Sequence, residues 1–161
     1  MKNKTNSTIT DVMKEAYAAE LETVENYLAN SVWLDGLGAQ EVAESLAEDV
    51  TEELGHATKL AHRLKQLGVC PPGSLRLARN QKTLQPPKDS TDVRSVVEGV
   101  LEAENAAIKH YQRLIAACDG KDHVTQDLAI GILPTRRSTA ACLASRCVCV
   151  CSMHCLRVSG A

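Results

Sequence analysis

The sequence predicts an all-α fold: a bundle of four helices with one long crossover between the second and third. Three observations predict it. Apolar residues recur in steps of three and four over three long segments. Leu, Ala, Val and Glu dominate, and aromatic residues are few: Trp33, Tyr17, Tyr27 and Tyr111, with no Phe. Between the second and third segments lies a long aperiodic stretch, which suits a connection between helices that run parallel.

The spacing predicts a first helix over 10–34, with Thr10 as N-cap and a break at Asp35-Gly36-Leu37-Gly38. Its stripe is Met13, Tyr17, Glu20, Val24, Tyr27, Ser31 and Leu34. A second helix is predicted over 39–67, with the stripe Leu46, Val50, Glu53, Ala57, Leu60, Leu64 and Leu67. Gly68 suits its C-terminal end, and Pro71-Pro72 prevents continuation. The crossover, 69–91, holds four prolines and the basic residues Arg76, Arg79, Lys82 and Lys88, which read as a solvated loop. A third helix is predicted over 92–119, capped by Ser90 or Thr91 and ended by Gly120. Its stripe is Val97, Leu101, Glu104, Ile108, Tyr111, Ile115 and Cys118. A fourth helix begins near Asp122 (Val124, Leu128, Ile132) and meets Pro134, which is expected to interrupt it.

Composition sets bounds. A chain of 161 residues, 44% hydrophobic and 24% charged, suits one globular core. A net charge of −2 gives no pull toward nucleic acid or an anionic membrane. No apolar run is long enough to span a bilayer. The N-terminal residues are polar and lack a signal peptide's apolar core, so a cytoplasmic location is expected. No Gly-rich phosphate loop and no Gly-x-Ser-x-Gly elbow occurs.

The informative residues are acids on apolar stripes. Glu20, Glu53 and Glu104 each sit mid-stripe, where a carboxylate without a partner costs several kcal/mol or protonates. Three such acids on three helices ask for a shared cation. His56 is one turn from Glu53, so the two side chains project together. Carboxylates mixed with imidazole suit iron, manganese or zinc, and a carboxylate-rich set leans toward the first two. An internal repeat joins the first and third helices: Ala19-Glu20-x-x-x-Val24-x-x-Tyr27 matches Ala103-Glu104-x-x-x-Ile108-x-x-Tyr111. Tyr27 and Tyr111, two turns from their acids, are expected first as core packing, with hydrogen bonding to the ligands as the other reading, and His62 and His110 at the surface.

These motifs carry a resemblance. Ala19-Glu20-Leu-Glu-Thr-Val-Glu-Asn-Tyr27, Glu53-Leu-Gly-His56-Ala and Leu101-Glu-Ala-Glu104-Asn-Ala-Ala-Ile-Lys-His-Tyr111 resemble the ferritin-like superfamily, bacterioferritins and related iron-storage proteins above all. The resemblance covers residues 10–133. It implies a ferritin-like bundle in which Glu20 and His56 hold one iron, Glu53 bridges and Glu104 serves a second. It also implies Fe(II) oxidation by oxygen or peroxide and storage of Fe(III) in a homo-oligomeric shell. No catalytic residue is expected beyond the metal ligands. Haem is not expected, because Leu54 stands where haem-binding members carry a Met ligand.

A larger departure begins at Pro134. The family's second Glu-x-x-His belongs here, yet the window reads Pro134-Thr-Arg-Arg-Ser-Thr139. All acids lie at or before Asp127. The segment 134–161 holds Arg136, Arg137, Arg146 and Arg157, with Cys142, Cys147, Cys149, Cys151 and Cys155. The six residues can be spelled CCG-ACG-AGG-AGG-AGC-ACC. Read one base earlier, the same bases give Asp-Glu-Glu-Glu-His, with Glu at position 136 and His at 139. Residues 1–133 therefore read as the bundle, and 134–161 as an out-of-frame Cys/Arg-rich tail. The competing reading, a soft-metal segment with His154, lacks the Cys-x-x-Cys pairs of zinc or rubredoxin-type sites.

The expected function is Fe(II) oxidation and iron storage at a carboxylate–His dimetal site, weakened or mononuclear because the last ligands are missing. Two alternatives stand beside it: a peroxide-consuming dimetal protein of rubrerythrin or manganese-catalase type, and a non-enzymatic helical interaction module with a vestigial site.

Overall fold

The structure, a computed structural model, describes residues 4–36 and 38–136. The Cys-rich segment from Cys142, His154 included, lies outside the described residues, as does position 139. Among the described residues four helices form the bundle: α1 (Lys4–Trp33), α2 (Ala39–Gln66), α3 (Val93–Cys118) and α4 (residues 123–136). A single 3-10 turn, Ser74–Arg76, interrupts the crossover, and the described residues contain no strand.

The start of α1 and the cap of α3 differ from expectation, whereas α2 begins at Ala39 as expected. α1 begins before Thr10, which is buried within the helix rather than capping it. The apolar side chains Ile9, Val12 and Met13 join the core and hold this weakly helix-forming stretch in place. α3 is capped by Asp92, whose carboxylate accepts from the Ser95 N–H at 3.1 Å, not by Ser90 or Thr91. α2 ends as expected: Gly68 has φ 72°, its N–H reaches the Lys65 carbonyl and that of Val69 reaches the Leu64 carbonyl.

Pro134 does not interrupt α4, which continues through it to the limit of the described residues. The proline forfeits one backbone bond. The helix is held instead by its ends and its packing: Ala129 and Ile132 lie in the core. At its start the Asp122 carboxylate accepts from the Thr125 N–H and hydroxyl and takes a two-oxygen ion pair from Arg63 of α2.

The crossover packs along α1 instead of standing in solvent. Glu22 accepts the backbone N–H groups of Asn80 and Gln81 at 2.9 and 3.0 Å. Gln81 donates to the Ala19 carbonyl and the Thr23 hydroxyl, and Asn30 donates to the Leu84 carbonyl. Arg79 pairs with Glu25, so this basic residue is not merely solvated. On the other side the backbone approaches α3 so closely that a Cβ on Gly99 would lie 2.3 Å from the Thr83 carbonyl oxygen. The Asp35 N–H meets the Ser90 carbonyl where the crossover ends. The connection thus runs the length of α1 and starts α3 antiparallel to it, hence parallel to α2.

Two apolar clusters fill the interior. One gathers Ile9, Met13, Leu60, Leu64, Tyr111, Leu114 and Ile132. The other gathers Tyr27, Leu34, Val42, Leu46, Leu84, Val97 and Val100. Between them lies a buried polar layer. No helix of the described residues is long and apolar enough to cross a membrane.

Candidate metal centre

Each helix sends a side chain into the polar layer: Glu20 from α1, Glu53 and His56 from α2, Glu104 from α3 and Arg136 from α4. All five are buried. Ligand atoms of Glu20, Glu53 and His56 all lie within 4.8 Å of one another. Glu104 enters the same layer but is not part of that triad; the Arg136 guanidinium links it to the others.

Arg136 is the residue that sequence reasoning missed. Its guanidinium donates to Glu20, to both carboxylate oxygens of Glu53 and, at 3.1 Å, to Glu104. One side-chain cation therefore contacts all three acids. The signal was positional: residue 136 belongs to the window where a ligand is due, and an Arg there faces the same acids a ligand would join.

The tyrosines fulfil both readings. Tyr27 donates to Glu104 at 2.8 Å, and Tyr111 donates to Glu20. They pack in the core as expected, but each also fixes the acid of the opposite helix. The internal repeat carried this signal, since it places a Tyr two turns after a Glu on both helices. His110, expected at the surface, is half-buried and hydrogen-bonded to the Val12 carbonyl at 3.0 Å. His62 is exposed.

The electrostatics follow from burial. Burial first, then the fields of Glu104, Glu52 and Asp49, raise the Glu53 carboxyl to about 10. Burial raises Glu104 to about 7 even against the Tyr27 hydrogen bond, and lowers Arg136 to about 9. Each group alone is pushed toward neutrality; direct contact between guanidinium and carboxylates favours the ionised pair. Burial likewise lowers His56, which favours the neutral imidazole that binds metal. Its Nδ1 lies 3.4 Å from Glu53 Oε2, and its Nε2 lies 3.5 Å from the Thr135 hydroxyl of α4.

The layer accommodates one cation more readily than two. Glu20, Glu53 and His56 offer oxygen and nitrogen donors around one point, a set suited to Fe(II), Mn(II) or Zn(II). Glu104 Oε2 has no hydrogen-bond partner among the described residues, so one acceptor remains open. The Arg136 guanidinium contacts Glu20 and both Glu53 oxygens as well as Glu104, so it already balances one of the three carboxylates and leaves charge for one divalent ion, not two. Beside the layer a cavity of about 350 Å³ reaches Glu20, Tyr111 and Arg136 from between α1, α3 and the crossover. Small side chains such as Ala16, Ala19, Ala103 and Ala107 leave this space.

Comparison with known proteins agrees with the bundle. The ferritin-like domain family matches residues 10–145. The chain belongs to the ferritin-like family. Among solved structures, it is similar to a dodecameric thioferritin, the bacterioferritin-related protein of Bacteroides fragilis. That pair has a TM-score of 0.83 and 24% identity, over 92% of this chain and 89% of the other. It is also similar to the DPS protein of Vibrio cholerae O1, of the ferritin-like diiron-carboxylate superfamily (TM-score 0.78, 17% identity, 88% of this chain and 89% of that one). A ferritin-like diiron-carboxylate protein of Bacillus anthracis str. Ames gives a TM-score of 0.75 at 19% identity, over 89% and 97% of the two chains. Comparison with curated proteins finds no match.

Proposed function

We propose that this ferritin-like chain binds iron as its cargo, holding one Fe(II) per chain at Glu20, Glu53 and His56 and oxidising it slowly. The observation that carries the reading is the convergence of these three buried donors on one point. Glu104 is the remaining ligand candidate, its free Oε2 turned to no other partner among the described residues. Manganese or zinc could occupy the same donors. Oxygen or peroxide would accept the electron that each Fe(II) loses. The cavity beside Glu20 and Tyr111 offers the way in.

Assembly into a homo-oligomeric shell, suited to storage or detoxification of iron, is part of this proposal and is supported by similarity to a dodecameric protein; a cytoplasmic location is proposed with it. No nucleic-acid or membrane partner is proposed. The segment from Pro134 is proposed to be an out-of-frame product. Supporting this, residue 136 faces the three acids, where the neighbouring frame can read Glu. The nucleotide sequence of codons 134–139 tests that part directly.

One observation favours a second reading, a helical interaction module with a vestigial centre: Arg136 already neutralises part of the acid layer. Aerobic addition of Fe(II), followed by absorbance of the oxidised product and by native mass, separates the two. Slow oxidation in an assembled protein supports iron handling. A metal-free monomer or dimer without oxidation supports the module.

A further inference from the structure

The Arg136 side chain is 2% exposed, yet it bears a full charge that water does not reach. Such a group is tolerable only where its partners are equally fixed. Here they come from three different helices, and α4 supplies the cation. A guanidinium fork is well matched to such surroundings, since it presents several donors in one plane and can serve more than one carboxylate at once.

The formal charges are informative. Three carboxylates and one guanidinium leave a net charge of −2 in the layer, which a single divalent ion balances. Any divalent ion entering the layer meets the guanidinium, which holds Glu20 and Glu53 as well as Glu104, and a second one would add positive charge that no remaining carboxylate balances. The arrangement is also imperfect as a closed network. Arg136 Nε and Glu104 Oε2 are both buried without a hydrogen-bond partner among the described residues. Arg136 therefore satisfies the acids' charge better than it satisfies their geometry.

We propose that Arg136 is a tethered stand-in for one metal ion of a dimetal centre. It spans Glu20, Glu53 and Glu104, limits the layer to one divalent cation and lets the four helices pack without metal. The one-ion limit rests on the iron-binding reading given above; the stabilising role does not, because it concerns the metal-free chain.

The test uses the full chain, stripped with chelator, and Mn(II) as probe, since Mn(II) prefers oxygen donors and avoids the cysteine thiols. Thermal denaturation in chelator is compared for the parent, R136M and R136K. R136M leaves three buried acids without their cation, so its Tm should fall on the order of 10 °C. Mn(II) should restore more stability to R136M than it adds to the parent. R136K, which keeps the charge but loses the fork, should fall between. Mn(II) counted by equilibrium dialysis should give one ion per parent chain and two per R136E chain. This count decides the matter even where R136M does not fold. An R136M variant as stable as the parent in chelator, or an R136E variant that binds no more Mn(II) than the parent, overturns the proposal. A parent that binds no Mn(II), beside an R136M that is destabilised in chelator, sinks the iron-binding reading and leaves the stand-in supported.

Discussion

Tyr111 of α3 donates its hydroxyl to Glu20 of α1, and so fixes an acid across the bundle from its own helix. Tyr27 of α1 returns the arrangement by donating to Glu104 of α3 at 2.8 Å. The two bonds make the internal repeat of the sequence a physical one. They also give the tyrosines different roles, because Glu20 belongs to the triad of close donors and Glu104 does not.

Tyr111→Phe should therefore weaken divalent metal binding, by roughly 10-fold, the lower end for removing a partner that orients a ligand. Tyr27→Phe should leave that affinity nearly unchanged and cost about 1 kcal/mol of stability for one buried hydrogen bond. Mn(II) dialysis and urea denaturation on both variants check the pair. Equal losses of affinity would show that Glu104 shares the bound ion after all.

Gly99→Ala should destabilise the chain by about 1–3 kcal/mol, the usual cost of overpacking. The added Cβ would meet the Thr83 carbonyl oxygen at 2.3 Å, and that atom is backbone, so the crossover itself must move. Urea denaturation should show a lower midpoint with an unchanged slope.

Glu22→Ala should loosen the crossover without unfolding the bundle. Its carboxylate accepts the N–H groups of Asn80 and Gln81. Hydrogen exchange should speed up at these two amides and remain slow at the buried core of α2 and α3.

Asp122 should shape the acid limit of stability. Burial pushes its carboxyl up, but hydrogen bonds from the Thr125 hydroxyl and N–H and from Arg63 outweigh that and hold it below its ordinary 3.8. A carboxyl lowered on folding adds stability above its unfolded value and loses it as pH falls through the folded one. The loss should appear below about pH 4. Asp122→Ala should remove this part of the acid limb and cost about 1–2 kcal/mol at neutral pH through the lost helix cap. Stability measured from pH 7 to pH 2.5 on both chains checks the shape.

Much of this structure was legible in the sequence because its signals are periodic. The stripes of α2 and α3 predicted buried Leu46, Leu60, Leu64, Val97 and Cys118, and the acids interrupting those stripes marked the polar layer. The crossover face of α1 was not legible. Glu22, Thr23, Asn26 and Asn30 are buried there by a chain segment that has no period of its own. Polar residues read as solvent-facing unless something is known to cover them. Arg136 was hidden for a related reason. A ligand search looks for acids and histidines, and a cation serving in place of a metal is its complement. The early start of α1 was missed because Thr and Ser suggest caps, while Ile9 and Met13 are held by tertiary packing.

Anaerobic Fe(II) binding to the chelator-stripped chain, measured by equilibrium dialysis beside E53Q and H56A, tests the centre most directly. Glu20, Glu53 and His56 should hold one Fe(II) per chain, and either substitution should abolish most of that binding. Iron bound equally well by E53Q and H56A, or no iron bound by the parent chain, would contradict a metal centre at these residues.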